Sequence, residues 1–208
     1  MAATLGGWTE SFRARSNFCP ISPKHWRVWL EQKATPSMKT GDNLTGALLV
    51  AHPCLQDPNF RRTIIFLSEH SPEDGATGFV LNRPLRISET KGTGVPVFSG
   101  GPVCTDQTLL ASLQWRENPT VVAFRAFLSD AECSRDGWER GLRIFEGCSG
   151  WSPGQLEHEI EDNTWLVLAP TRELIEMNIP GDAWKTIMRH ASPHLHLLSE
   201  APDDPRAN

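Results

Sequence analysis

From residue 46 onward, apolar residues come in short runs separated by Gly, Pro, Asp and Asn. Runs of this kind, rich in β-branched and aromatic residues and bounded by turn formers, predict strands. They fall at Ala47–Ala51, Thr63–Leu67, Thr77–Leu81, Val95–Phe98, Val121–Phe127, Leu142–Phe145 and Trp165–Leu168. Helical spacing appears elsewhere. Ser129 and Glu132 have the capping-box separation and predict a helix to about Glu139. Asp182–Ala191 puts Trp184, Ile187, Met188 and Ala191 on one stripe, with Asp182 as its cap. Near the start, Lys24–Lys33 predicts a short amphipathic helix with Trp26, Trp29 and Leu30 on one side.

The richest segment is Gly147–Ile160. The apolar run Leu142–Phe145 feeds a Gly-rich turn, which is expected to expose Trp151 and then start a helix. Ser152 and Gln155 have capping-box spacing, and Pro153 takes the first helical position, where a missing N–H costs nothing. Leu156 and Ile160 share the apolar face. Strands and helices mixed without regular β-α-β alternation predict an α+β fold.

Composition narrows the class. The chain has 208 residues, 39% hydrophobic and 22% charged, enough for one domain with a real core. No apolar stretch is long enough for a membrane-spanning helix, and Met1–Ser37 lacks the apolar core of a secretory signal. A net charge of −5 weighs against nonspecific attraction to nucleic-acid phosphates. Cys19, Cys54, Cys104, Cys133 and Cys148 are scattered, with no C-x-x-C pair; they read as reduced thiols in a cytoplasmic protein. Residues 1–45 read as an N-terminal extension and linker, and Met38 offers an alternative start; residues 46–200 form the domain and 201–208 a frayed tail.

Four segments then resemble the bacterial AlgH/YqgE family. They are the GW-x-x-GQLE-x-E string at Gly150–Glu159, the block Gly46–Pro84, the turn Gly100-Gly101-Pro102-Val103 with Thr105-Asp106, and Asp162-Asn163-Thr164-Trp165-Leu166. Together they span roughly residues 46–176, in the family's order. The resemblance implies a bent, bifurcated mixed sheet folded toward a pseudo-barrel with helices packed outside. It also implies a link to transcriptional regulation, in a family without a defined biochemical activity. One departure is the short Leu85–Ser99 connection, where relatives carry a longer segment, often helical.

Candidate chemistry has to be weighed against structural alternatives. Arg83, after Asn82 and before Pro84, presents a five-donor fork suited to a carboxylate or phosphate; it is equally suited to capping loop carbonyls or pairing with Glu69. Gly100 and Gly101 either admit a ligand to the backbone or form a structural turn. Trp151 either stacks on a ligand or plugs the core, Gln155 caps, and Glu159 reads as a solvated surface acid. Cys54 and Ser99 are the nucleophile candidates, but neither sits in a recognisable elbow, and Cys54 and Cys148 read as small core residues. His158 with Asp162, and His194 with His196, supply too few ligands for a metal. Arg61, Arg62 and Arg83 are the best basic cluster, without a nucleic-acid motif around them.

The expectation is therefore a ligand-sensing regulatory module without catalysis, cofactor or metal. Its site would lie where Asn82, Arg83, Gly100, Gly101, Trp151 and Gln155 converge, and its partner would be a small anionic ligand or a protein. The alternatives are a hydrolase or transferase using Cys54 or Ser99, a direct transcription factor, and a protein-binding adaptor.

Overall fold

The computed structural model describes residues 43–85, 95–117, 120–128, 141–176 and 182–201. Among these residues there are eight strands: β1 (Leu48–Ala51), β2 (Ile64–Ser71), β3 (Gly75–Val80), β4 (Val97–Ser99), β5 (Val103–Glu117), β6 (Thr120–Ala126), β7 (Leu142–Trp151) and β8 (Trp165–Leu168). Four helices accompany them: α1 (Gln155–Glu161), α2 (Arg172–Glu176), α3 (Ala183–Ala191) and α4 (Pro193–Ser199). The helices predicted at 24–33 and 129–139, residues 1–42 of the predicted 1–45 extension and residues 202–208 of the predicted tail lie outside the described residues.

The sheet runs β6-β5-β7-β3-β2-β1-β8 and is open, with β4 joining beside β7. Its pairs are antiparallel except β4 with β7, so the sheet is mixed. The fork is in β7. Leu142–Glu146 lies between β4 and β5, whereas Ser149–Trp151 pairs with β3. Gly147 stands between the two halves at φ 70, a conformation that favours glycine. A Cβ there would meet the Gly101 and Val103 carbonyl oxygens at 2.6 and 2.8 Å.

The apolar runs of β1 and β2 are buried on both faces, which is why they lack a polar alternation. The pleat sends alternate residues to two cores. Leu48, Val50, Ile64 and Phe66 face a cluster completed by Phe79, Phe98, Phe145, Leu174 and Trp184. Leu49, Ala51, Ile65 and Leu67 face a second, completed by Trp151, Leu156 and Trp165. Helices α2 and α3 cover the first and α1 covers the second.

Several expectations are corrected. Val103–Glu117 forms the longest strand, β5, although no run in the sequence marked it. Its first part, through Gln107, is exposed, and its ladder with β7 slips between Val103 and Thr108, so no apolar alternation betrays it. The Gly-rich turn is not a turn: β7 continues to Trp151 because Gly147 absorbs the bend. Helix α1 starts at Gln155 with Gly154 as its cap in a left-handed conformation, so Pro153 precedes the helix. Half of the capping box survives, since Gln155 Oε1 accepts the Ser152 N–H at 3.0 Å. Asp182 occupies the cap position of α3 but makes no side-chain cap bond, and Ala191 is exposed while Ala183 joins the buried stripe. Helix α4 has a side-chain cap, with Ser192 accepting from Leu195 N and Pro193 at the first turn, and Thr171 Oγ1 accepts from Leu174 N at the start of α2.

Candidate functional site

The six residues expected to converge are each held by the fold. Asn82 is buried, accepts the Ile64 N–H at 2.9 Å and donates to the Arg62 carbonyl at 2.8 Å. Arg83 wraps the 58–61 loop, with Nη1 donating to Asn59 O at 2.7 Å and Nη2 to Pro58 O and Arg61 O at 3.1 and 3.2 Å. That is the loop-capping role. Burial, and then the nearby Arg61 charge, push its guanidinium below the usual arginine range, with Asp57 pulling the other way.

Gly100 and Gly101 admit backbone closely, and that backbone belongs to β7. A Cβ on Gly100 would lie 2.2 Å from Gly147 O, and one on Gly101 would lie 2.3 Å from Cys148 O. Gly100 N–H donates to Glu146 O, and Gly100 O accepts from Val80 N–H. The turn thereby locks β3 to the first half of β7.

Trp151 is buried at 6% exposure instead of projecting outward. Its ring stacks on Phe60 with centroids 6.2 Å apart and meets Trp165 edge-on at 6.0 Å. Glu159, read from the sequence as a surface acid, anchors both indoles: its Oε2 accepts from Trp151 Nε1 at 2.9 Å and Trp165 Nε1 at 2.7 Å. Its Oε1 accepts from Gln155 Nε2 at 2.9 Å. Arg83 and Trp151 are therefore linked, but through packing. Arg83 shapes the loop that carries Phe60, and Phe60 seats Trp151.

The open concavity is elsewhere. A cleft of about 620 Å³ lies between the end of the β2–β3 hairpin and the end of β7. Glu69, Ser71, Asp74 and Thr77 line the hairpin side; Gly150, Trp151 and Ser152 line the other, with Thr45 and Val103 at the margins. Its carboxylates are Glu69 and Asp74, and no Lys or Arg lines it among the described residues. His70 sits at its base with both ring nitrogens engaged. Nδ1 accepts the Leu44 N–H at 3.1 Å, which leaves the proton on Nε2 to donate to Glu157 Oε1 at 2.8 Å. Of the sequence candidates, only Trp151 reaches this cleft.

The nucleophile candidates separate. Cys54 is exposed, not a core residue, and sits beside His52. Yet His52 Nδ1 already accepts the Cys54 backbone N–H at 3.3 Å, which leaves the proton on Nε2. Burial and then the nearby His194 lower the His52 imidazole below its usual range, and its Nδ1 acceptor is already taken. Ser99 ends β4, with its N–H donating to Arg83 O. His158 and Asp162 form an exposed pair at 3.5 Å, and no three His, Cys, Asp or Glu residues gather as metal ligands among the described residues.

Against this geometry, known proteins give a family. A model of the AlgH-like family matches residues 48–196. The chain belongs to the AlgH-like family. A UPF0301 protein of Streptomyces coelicolor is 33% identical over 80% of this chain and 96% of its own length. One of Mycolicibacterium vanbaalenii is 37% identical over 76% and 88%. A crystal structure of a Corynebacterium diphtheriae protein, DIP2367, superposes with TM-score 0.59 at 24% identity, covering 79% of this chain and 96% of that one. The solution structure of AlgH from Pseudomonas aeruginosa gives TM-score 0.55 at 24% identity over 82% and 97%. These likenesses carry the AlgH-like fold, and no helix among the described residues is long and apolar enough to cross a membrane.

One buried charge in this AlgH-like domain escaped the sequence reading. Arg143 in β7 is 3% exposed, donates from Nη2 to Ile175 O, and stands over the Phe98 ring at 5.8 Å. Burial lowers its guanidinium from 12.5 to about 10. A base depressed on folding destabilises the fold while it is charged, and the penalty begins to fall as pH rises past the folded value, vanishing only once the unfolded chain deprotonates as well. That penalty is roughly 3 kcal/mol, offset by the carbonyl bond and the ring. Arg143→Met is therefore expected to leave stability at pH 7 within about 1 kcal/mol of wild type. Wild type should then gain on the variant as pH passes about 10. Urea titrations of both proteins from pH 8 to 11 check the crossing.

Proposed function

We propose that this AlgH-like protein is a regulatory binding module that senses a small polar ligand in the hairpin cleft and does not transform it. The observation that carries the reading is the cleft itself: about 620 Å³, lined by hydroxyls together with Trp151 and Ala76, with Glu69 and Asp74 as its carboxylates. A space of that size suits a metabolite. Acceptors without a facing cation favour a ligand that brings an amine or several hydroxyl donors, since each charge-assisted bond is about twice a neutral one. The spent acceptor on His52 and the engaged ring of His70 support binding over acid–base chemistry. Any influence on transcription then runs through the ligand-bound form and a partner, in keeping with the acidic total.

The test is a thermal-shift screen of the full chain against amines, polyols, nucleotides and small oxyanions. Saturation at a hundredfold over Kd adds about 2.7 kcal/mol, and each kcal/mol raises Tm by roughly 2–4 °C in a domain of this size. Amine or polyol hits weakened at least tenfold by Glu69→Gln with Asp74→Asn, about 1.4 kcal/mol, are expected. Hits confined to anions and abolished by Arg83→Ala would restore the Arg83-centred site and sink the cleft.

A further inference from the structure

Cys104 and Cys148 lie one register step apart across the exposed start of the β5–β7 ladder. Val103 is the register partner of Cys148, so Cys104 is one residue from the residue directly opposite. The ladder then slips: five residues on β5, Thr108 against Val103, correspond to two on β7, Glu146 against Cys148. Cys104 begins that excess at φ 52, a left-handed conformation unusual for a side-chain-bearing residue. The looped-out chain does not leave β7. A Cβ on Gly147 would lie 2.8 Å from the Val103 carbonyl oxygen and 3.4 Å from the Thr105 Cα, so both neighbours of Cys104 lie against Gly147–Cys148. Strand geometry puts a residue one step from the directly opposite position roughly 6 Å away, Cα to Cα, within the ~4.4–6.8 Å that a disulfide spans. The left-handed backbone at Cys104 breaks the alternation that would otherwise turn its side chain to the opposite face from Cys148, which packs against the first core. The thiols differ in setting. Cys104 is exposed and Cys148 is half-buried. Burial pushes the Cys148 thiol up, and the neighbouring Cys104 adds to it.

We propose that Cys104 and Cys148 form a peroxide-responsive dithiol, with exposed Cys104 as the thiol oxidised first and Cys148 as the resolving thiol. The Cys104 thiolate attacks one peroxide oxygen, the O–O bond breaks, and a sulfenic acid forms with release of one water. The Cys148 sulfur then attacks the sulfenic sulfur, the S–O bond breaks and a second water leaves, so two thiols and one peroxide become one disulfide and two waters. In a reducing compartment the pair rests as thiols and cycles only under oxidant.

The bond would fasten the looped start of β5 to β7 beside Val103, which also borders the cleft. That consequence rests on the ligand-binding reading; the chemistry of the pair does not, and the two are read separately. The reduced full chain is treated with one equivalent of hydrogen peroxide, its remaining thiols are alkylated, and intact mass and peptide maps are taken. The expected product is a monomer lighter by about 2 Da before alkylation, with Cys104 joined to Cys148. Cys148→Ser should instead hold Cys104 as a sulfenic acid that a dione probe captures, and Cys104→Ser should abolish the fast oxidation. Cross-links from Cys104 to Cys19, Cys54, Cys133 or a second chain would overturn the proposal. So would an equal Cys104–Cys148 yield in denaturant, which would mean that the fold contributes nothing. Oxidised and reduced protein are then compared for cleft ligands: an unchanged Kd rejects the link to the cleft and leaves the dithiol standing.

Discussion

Alanine at position 101 is expected to leave the domain largely unfolded, and alanine at position 100 to be almost as damaging. Gly101 sits at φ 151 with the Cys148 carbonyl carbon and oxygen 2.4 and 2.3 Å from where a Cβ would be. The Gly100 Cβ would overlap Gly147 O at 2.2 Å. Those neighbours are backbone, committed on both sides to the β3 and β4 pairings, and cannot turn away as a flexible side chain would. Overpacking ordinarily costs 1–3 kcal/mol when side chains can shift, so a clash against fixed backbone should exceed about 4 kcal/mol. Against a typical total of ~5–15 kcal/mol, that removes much or all of the margin. Gly154→Ala separates the two causes. Gly154 has φ 74 but open space around it, so strain alone applies and should cost about 1–2 kcal/mol. Urea denaturation of the three variants decides. Equal losses at 101 and 154 would mean that conformation, not close approach, demands the glycine.

The Gly-Gly step also marks what the sequence could express. Glycines declare that something comes close; they do not say what. Here it is β7, found from Leu142 to Phe145 but hidden beyond it, because Gly147 and Gly150 look like turn formers. The buried strands were legible for a simple reason: Leu48–Ala51 and Ile64–Leu67 are apolar at every position, and only a strand covered on both faces needs that. β8 was found to the residue. β5 was invisible because half of it is exposed and out of register, so no periodic signal exists to read. The site was least legible. Arg83 has the donor count for an anion, but the sequence cannot show three loop carbonyls arriving first. The cleft depends on a hairpin meeting the far end of β7, a contact between residues some eighty positions apart.

Glu159→Ala should cost about 3–5 kcal/mol, far more than a surface acid. Its Oε2 takes both indole N–H groups, from Trp151 and Trp165, in a cluster where those rings are 6% and 4% exposed. A hydrogen bond to a charged acceptor contributes about 1.5–3 kcal/mol, and a buried donor left without one loses that and its hydration as well. Solvent entering the vacated space recovers part of this, because Glu159 is itself half-buried. Glu159→Gln keeps one carbonyl oxygen at the same reach and loses the charge, so roughly half the effect is expected. Trp151→Phe removes one of the two donors, and combining it with Glu159→Ala should show a coupling of about 1–2 kcal/mol, since the variants share one bond. Near-UV circular dichroism reports the loss of the fixed edge-on arrangement of Trp151 and Trp165 alongside the denaturation curve. A loss under about 0.5 kcal/mol with an unchanged aromatic spectrum would return Glu159 to the solvated face that its sequence position suggests. The larger result would make the indole–carboxylate clamp the support of the cleft, because Trp151 is the residue the clamp and the cleft share.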